Sequence, residues 1–432
     1  MQGATAVVAA IAAVLAWILW GGNLEPSPPQ APLRLGEARV AQQPPRESSP
    51  DGHRSNTYFA LEAAGEDLDA MIDSALDSRA TLNQRVRAVW WLGRFGSDEA
   101  VDVLERVLHS DARAAVKASA AHALGFSGHD AVGQILESLL QSTEITVACG
   151  AIRGLAATGD LEFVSVLEAL LHDPAARDMV RGQAAVSLAD LAGPKAQESL
   201  LSAFRNVESE DLAGSVLEGL GKLPFEQTTP FFRGVLEDGQ LSDGIKAAAL
   251  EALGESTPDA VGLLSEVAAG ASSPELRIAA VDALAFLEDA SARPQTLLKL
   301  LASEAEPDVR VELYSTLALD AREVYTRSRA ERVVSLVLSE TSTDARLEGI
   351  RLVAYMLSGT PREPLVEPFE REMVPWLLDQ ATTSQSRYRR LVAVEALQVA
   401  GTRESRGVLA ELTRGDDVEV AAAAARGIAP GG

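Results

Sequence analysis

A leucine followed by a small residue returns along this chain with a nearly constant step, and no other feature restricts its fold as much. The pairs are Leu92-Gly93, Leu124-Gly125, Leu155-Ala156, Leu188-Ala189, Leu220-Gly221, Leu253-Gly254, Leu284-Ala285 and Leu317-Ala318, and the intervals between the leucines are 32, 31, 33, 32, 33, 31 and 33 residues. A period of this length means that one supersecondary unit is repeated and stacked, because a single unit of about 30 residues cannot bury its own apolar face.

Other positions keep the same phase. Seven residues before the marker leucine stand Arg85, Lys117, Arg181, Lys246, Arg277 and Arg310, with Ala148 and Ala213 as exceptions. Four residues after it the early units place Gly96, Gly128 and Gly159, which suit the left-handed turn that ends a helix. Asp98, Asp130, Asp160 and Asp259 follow, at or near positions where a carboxylate favours the free amides of a new helix. Beyond the turn an apolar pair recurs at helical spacing: Leu104 with Leu108, Leu136 with Leu140, Leu167 with Leu171, Leu200 with Phe204, and Phe232 with Leu236. Each unit is therefore expected to be helix, tight turn, helix. The high share of apolar residues, 47% against 5% aromatics, suits closely packed helices.

Toward the C terminus the rhythm loosens. Val353-Ala354, preceded by Arg346, comes after 36 residues, and Leu397, preceded by Arg390, after another 44. Residues 360–372, with Pro361, Pro364 and Pro368, are expected to form an irregular insertion projecting as a loop. Val418 to Ile428 is expected to complete the stack, and Tyr58 to Leu76 to cap its start. The expected organisation is thus a cap over 57–80 and a repeat array over 81–432.

With these residues in view, from about Thr81 to Ile428, the chain resembles the HEAT-repeat family, in particular its short bacterial, phycobilisome-lyase-like form; Asp308-Val309-Arg310 leading to Leu317-Ala318 is similar to the start of that family's first helix. The resemblance implies an all-α fold, a right-handed α-solenoid of about ten to eleven helical hairpins. It also implies that Arg85, Lys117, Arg181, Lys246, Arg277, Arg310, Arg346 and Arg390 form a structural ladder between repeats. Finally, it implies that the second helices line a concave surface, where Glu105, Glu137, Glu168 and Glu266, interrupted by Leu201 and Arg233, would align as an acidic partner-binding face.

Ahead of the array, Ala4 to Trp20 is an uncharged run of 17 residues, expected to be a single-pass N-terminal membrane anchor within residues 1–20, with a cleaved signal peptide as the alternative. Residues 21–56, carrying Pro26, Pro28, Pro29, Pro32, Pro44, Pro45 and Pro50, are expected to be a disordered tether. Counting Arg34, Arg39, Arg46 and Arg54 by the positive-inside rule would keep the solenoid cytoplasmic; analogy with exported bacterial proteins carrying a short anchor and a Pro-rich spacer places it in the periplasm.

Chemistry leaves little trace. A net charge of -24 opposes phosphate backbones, which argues against nucleic acid and against the DNA-glycosylase branch of the family. No histidine among His53, His109, His122, His129 and His172 is followed by Glu, so the His-Glu iron dyads of the hydroxylase branch are absent. No metal, cofactor or catalytic set is expected, and Cys149 has no possible intrachain disulfide mate. The leading expectation is a membrane-anchored scaffold for protein–protein interaction whose partner has a basic surface, with an accessory subunit of a membrane enzyme, or a lyase-like enzyme, as alternatives.

Overall fold

The computed structural model describes residues 67–428 apart from 111, 208, 256–257, 288–292, 322–325 and 359–362. The expected anchor (1–20), tether (21–56) and the first part of the cap lie outside the described residues. Among the described residues the secondary structure is helical, and no helix is long and apolar enough to cross a membrane.

The described residues fall into two compact units, 67–158 and 159–428. Unit 1 contains α1 (Leu68–Leu76), α2 (Leu82–Phe95), α3 (Asp98–Leu108), α4 (Ala114–Leu124), α5 (Val132–Leu139) and α6 (Ile145–Thr158). Unit 2 runs through α7 (Val164–His172), α8 (Asp178–Ala192), α9 (Gln197–Arg205), α10 (Glu210–Gly221), α11 (Phe225–Glu237), α12 (Asp243–Gly254) and α13 (Val261–Gly270). It continues with α14 (Pro274–Phe286), α15 (Arg293–Ser303), α16 (Pro307–Leu319), α17 (Arg327–Leu338), α18 (Thr343–Leu357) and α19 (Glu363–Pro368). The last helices are α20 (Val374–Thr383), α21 (Arg387–Ala400), α22 (Arg403–Leu412) and α23 (Val418–Ile428).

Helix ends follow local chemistry. Thr81 accepts from the amide of Gln84 at 3.3 Å while the Gln84 side chain accepts from the amide of Thr81 at 2.9 Å, a reciprocal cap that starts α2. Gly96 closes the same helix at φ 59°, where a side chain would be strained.

The marker residues Leu92 to Leu317, with Val353 and Leu397, are all buried at the C-terminal ends of their helices. In unit 1 the marker helices are α2, α4 and α6; in unit 2 they are α8, α10, α12, α14, α16, α18 and α21, and each lies against the next within its unit. The companion helices between them pack chiefly on the marker helix that follows. The hairpin is therefore companion then marker, the reverse of the expected order. In this phasing α1 is the companion of α2 and opens the first hairpin among the described residues. This phasing gives eleven hairpins among the described residues, three in unit 1 and eight in unit 2, the last made by α22 and α23.

The small residue after the marker leucine now has a cause. A Cβ on Gly221 would stand 2.5 Å from the Ala252 carbonyl oxygen, and one on Gly254 would stand 2.7 Å from that of Ala283. Successive marker helices thus touch backbone to backbone, and Gly93 and Gly125 play the same part in unit 1. Companion helices are spaced more widely. Within a unit the marker helices therefore form the tighter of the two layers. Glu105, Glu137, Glu168 and Glu266 stand on α3, α5, α7 and α13, helices of the more widely spaced layer.

The segment 360–372 is also corrected. Where described, it is helix: α19 passes through a wide π turn at Phe369–Met373 directly into α20. Leu365, Phe369, Met373 and Leu377 fall four apart and are fully buried, so one apolar stripe overrides the prolines. Pro368, which has no amide to give the helical ladder, immediately precedes the widened turn.

Candidate partner-binding face

The basic column is built into the hairpins. Arg85 Nε donates to the Ala75 carbonyl at 3.1 Å, Arg181 Nε to Leu171 at 3.1 Å, Arg277 Nη1 to Ala271 at 2.8 Å, Arg310 Nη1 to Leu301 at 2.7 Å and Arg390 Nη1 to Ser384 at 3.0 Å. Each guanidinium satisfies carbonyls left open where the companion helix ends.

Several also reach the following hairpin: Lys117 to Glu144 at 3.0 Å, Arg277 to Glu304 at 2.9 Å, Arg390 to Asp417 at 2.9 Å, and Arg310 to Glu340, which also accepts from Tyr314 at 2.9 Å. Arg346 lies over the Trp376 ring at 5.1 Å, and Lys246 is half-buried at the same register. Lys117, Arg277, Arg310 and Arg390 thus tie successive hairpins together, and the acids they grip lie in the approach to the next marker helix.

The acidic residues expected to meet a partner stand on companion helices, Glu105 and Glu137 in unit 1 and Glu168 and Glu266 in unit 2. Glu105 and Glu168 are half-buried and Glu137 is exposed, while the Glu266 carboxylate is met by Arg233 at 2.8 Å, so its charge is largely answered on the spot.

The marker helices of unit 2 carry a different acidic row. Two residues before the marker stand Glu218, Glu251, Asp282 and Glu395; Glu312 and Glu348 stand five before, Asp190 and Glu255 two after. Asp190, Glu251 and Glu255 all act on Glu218, and the Asp282 and Glu312 carboxyls are hydrogen-bonded across α14 and α16. Glu348 feels both Glu312 and Glu395. Burial, reinforced by like-charged neighbours, holds Glu218, Glu251 and Glu348 above the ordinary carboxylate range, and the Glu312 carboxyl is pushed up to about 8 by burial and then by Asp282. Burial raises Asp282 as well.

Cations among them are Lys222, paired with Asp190 at 3.0 Å, and Arg351, paired with Glu348 at 2.8 Å. Tyrosines lace the far end: Tyr388 Oη donates to Glu348 at 2.5 Å and Tyr355 Oη to Glu395 at 2.8 Å.

Beside this end lies an open cleft of about 840 Å³, bordered by Asp308, Thr343, Gln380 and Ser386 and by the bidentate pair of Arg389 with Asp344 at 2.6 and 2.8 Å. The arrangement gathers carboxyls into one row, in which Asp190, Glu348 and Asp344 are answered by cations and Glu218 and Glu251 are exposed. The sequence holds this row as an in-phase column two residues before the marker.

The histidines are dispersed. His109 pairs its Nδ1 with the Glu105 carbonyl at 2.8 Å, His129 lies 3.6 Å from Asp98, His172 meets Ser199 at 3.0 Å, and His122 is packed among aromatic rings. His53 lies outside the described residues. Among the described residues no three His, Cys, Asp or Glu side chains are grouped to hold a metal ion.

Comparison with known proteins places a match to the HEAT-repeats family model at residues 68–147 and 136–221. No curated protein matches the chain in sequence. Among solved structures, human deoxyhypusine hydroxylase in complex with glycerol is similar at 17% identity, over 80% of this chain and 99% of its own, with a TM-score of 0.29. Kap121p bound to Pho4p is similar at 15% identity over 85% of this chain and 46% of its own, TM-score 0.41. The karyopherin Kap121p bound to the SUMO protease Ulp1p is similar at 15% identity over 87% and 47%, TM-score 0.43. The chain spans about half the length of these karyopherins.

Proposed function

We propose that this chain, whose residues 68–221 are HEAT repeats, is a protein-interaction scaffold, and that the marker-helix face of unit 2 takes a cationic segment of its partner. One observation carries the reading: carboxyls at in-phase positions are crowded together above their ordinary pKa range. Such crowding costs free energy in the unbound protein, and a lysine or arginine set among them would relieve it, so binding draws protons off the face.

The direct test is anisotropy titration of a labelled Lys/Arg-rich peptide with the full chain. Glu218→Lys together with Glu251→Lys is expected to weaken binding at least about tenfold, since each close charge pair at an interface couples by about 1.5 kcal/mol or more. Equal affinity for the reversed variant would sink the reading.

We infer from the uncharged run Ala4–Trp20 that this scaffold is attached to a membrane and, by analogy with exported proteins carrying a short anchor and a Pro-rich spacer, that the repeats lie on the periplasmic side. Fractionation and protease protection of the tagged full chain test it, and a soluble chain or repeats shielded by the cytoplasm would remove it.

A further inference from the structure

Two residues after the marker, α14 places Phe286, α16 places Leu319 and α18 places Tyr355, where the earlier marker helices of unit 2 hold Asp190, Lys222 and Glu255. Phe286 is 67% exposed and Leu319 is 71% exposed, whereas Tyr355 is half-buried with its hydroxyl donating to Glu395 at 2.8 Å. Single apolar side chains on a surface need no explanation, but two at equal register on helices that pack together make a stripe.

The stripe continues the acidic row. Phe286 follows Asp282 by four residues and Leu319 follows Glu312 by seven, helical intervals that return to one face, and Asp282 and Glu312 are hydrogen-bonded across the two helices. On the neighbouring α12, Glu251 and Glu255 are four apart at its C-terminal end. Gly254 seats that end against Ala283 of α14, which brings the two glutamates up to the turn that carries Phe286. Both glutamates are exposed, and among the described residues neither is paired with a lysine or arginine. The charges beside the stripe itself are answered: Arg293 binds Asp320 and also donates to the Leu284, Ala285 and Leu287 carbonyls at the end of α14.

We propose that the cationic segment received by unit 2 is amphipathic: a lysine or arginine meets Glu251 and Glu255, and apolar side chains beside it cover Phe286 and Leu319. The proposal rests on the reading of this face as a cation-binding surface and adds what the segment carries besides its charge. Packed helices stand about 8–10 Å apart and an extended chain rises about 3.3 Å per residue, so about three residues of ligand cross from one marker helix to the next. The pattern is a basic residue, two of any kind, an apolar residue, two of any kind and a second apolar residue, read in either chain direction. Charge selects this occupant. A second copy would set carboxylates against carboxylates in a chain of net charge -24, and an anionic lipid surface would meet the same repulsion.

The test is anisotropy with the full chain and three labelled peptides of equal length and charge: lysines and leucines in this spacing, the leucines replaced by serine, and the leucines moved side by side. The spaced-leucine peptide is expected to bind at least about tenfold tighter than the other two, an advantage lost in Phe286→Ser with Leu319→Ser. Leu161→Ser, which changes another exposed leucine in the turn before α7, is expected to preserve it. Thermal melts establish the fold of each variant, and the single variants read the same advantage if the double variant does not fold. Equal binding of the three peptides, or an advantage that survives the double variant, overturns the proposal and leaves the cation-binding reading in place; no binding by any of them overturns both. Dimerisation of the full chain that is lost in the double variant would give the stripe to a second copy and also overturn the proposal.

Discussion

Replacing Glu312 by Gln should stabilise the protein, by an amount that grows with pH. Glu312 lies on α16 against Asp282 of α14, with the Thr316 hydroxyl donating to it at 3.4 Å, and its carboxyl is pushed up from 4.5 to about 8, by burial first and Asp282 next. Below 4.5 both folded and unfolded chains hold the proton and the residue is neutral toward folding. Between 4.5 and 8 the unfolded chain releases it while the folded chain keeps it, so stability falls as pH rises; above 8 the folded state bears the full cost of two facing carboxylates.

At about 1.36 kcal/mol per pH unit the ceiling is on the order of 4–5 kcal/mol, which relaxation of the pair and partial access of water reduce to about 1–3 kcal/mol. Glutamine keeps the shape and the hydrogen bond of the protonated acid. Urea unfolding of both proteins, with exchange protection of α14 and α16 followed alongside, should therefore show the variant's advantage widening between about pH 5.5 and about pH 9. An advantage that is constant across this range, or a loss at the alkaline end, would refute the argument.

Three further outcomes follow from the same geometry. Arg310→Ala leaves the buried Glu340 carboxylate without its guanidinium and opens the carbonyls at the end of α15, and chemical unfolding should show a loss of about 3–5 kcal/mol. Gly221→Ala, which drives a methyl to 2.5 Å from the Ala252 carbonyl oxygen, should destabilise by about 1–3 kcal/mol, whereas Gly234→Ala in α11, where nothing lies within 4 Å, should stabilise by about 0.5–1 kcal/mol. Affinity for a Lys/Arg-rich peptide should rise with pH between about 6 and about 9, because the raised carboxyls of the unit 2 face must lose protons to meet it; calorimetry in buffers of different ionisation enthalpy should detect their release.

Much of the fold was legible because stacking leaves a periodic record. The marker residue, the basic residue seven before it and the glycines after it each have one structural duty, and repetition shows it ten, eight and three times. What periodicity could not give was phase. A string of alternating helices is the same string whether a hairpin begins at α1 or α2, and only the closeness of Gly221 to Ala252 and of Gly254 to Ala283 tells which layer is the tight one.

With the other phase α1 becomes a cap, and the helices of Glu105, Glu137, Glu168 and Glu266 become the second of each hairpin. Residues 360–372 misled for a different reason: prolines are local signals, and the spacing of Leu365, Phe369, Met373 and Leu377 outweighs them only when a core is present to bury the stripe.

The measurement that bears most directly on the scaffold reading is site-specific photocrosslinking of a bound Lys/Arg-rich peptide, with the crosslinker placed in turn at Ser315 of α16 and at Glu168 of α7. Crosslinks from Ser315 and none from Glu168 are predicted, because the cationic segment lies along the marker helices of unit 2. Crosslinks from Glu168 alone would contradict the account and return the binding face to the companion helices.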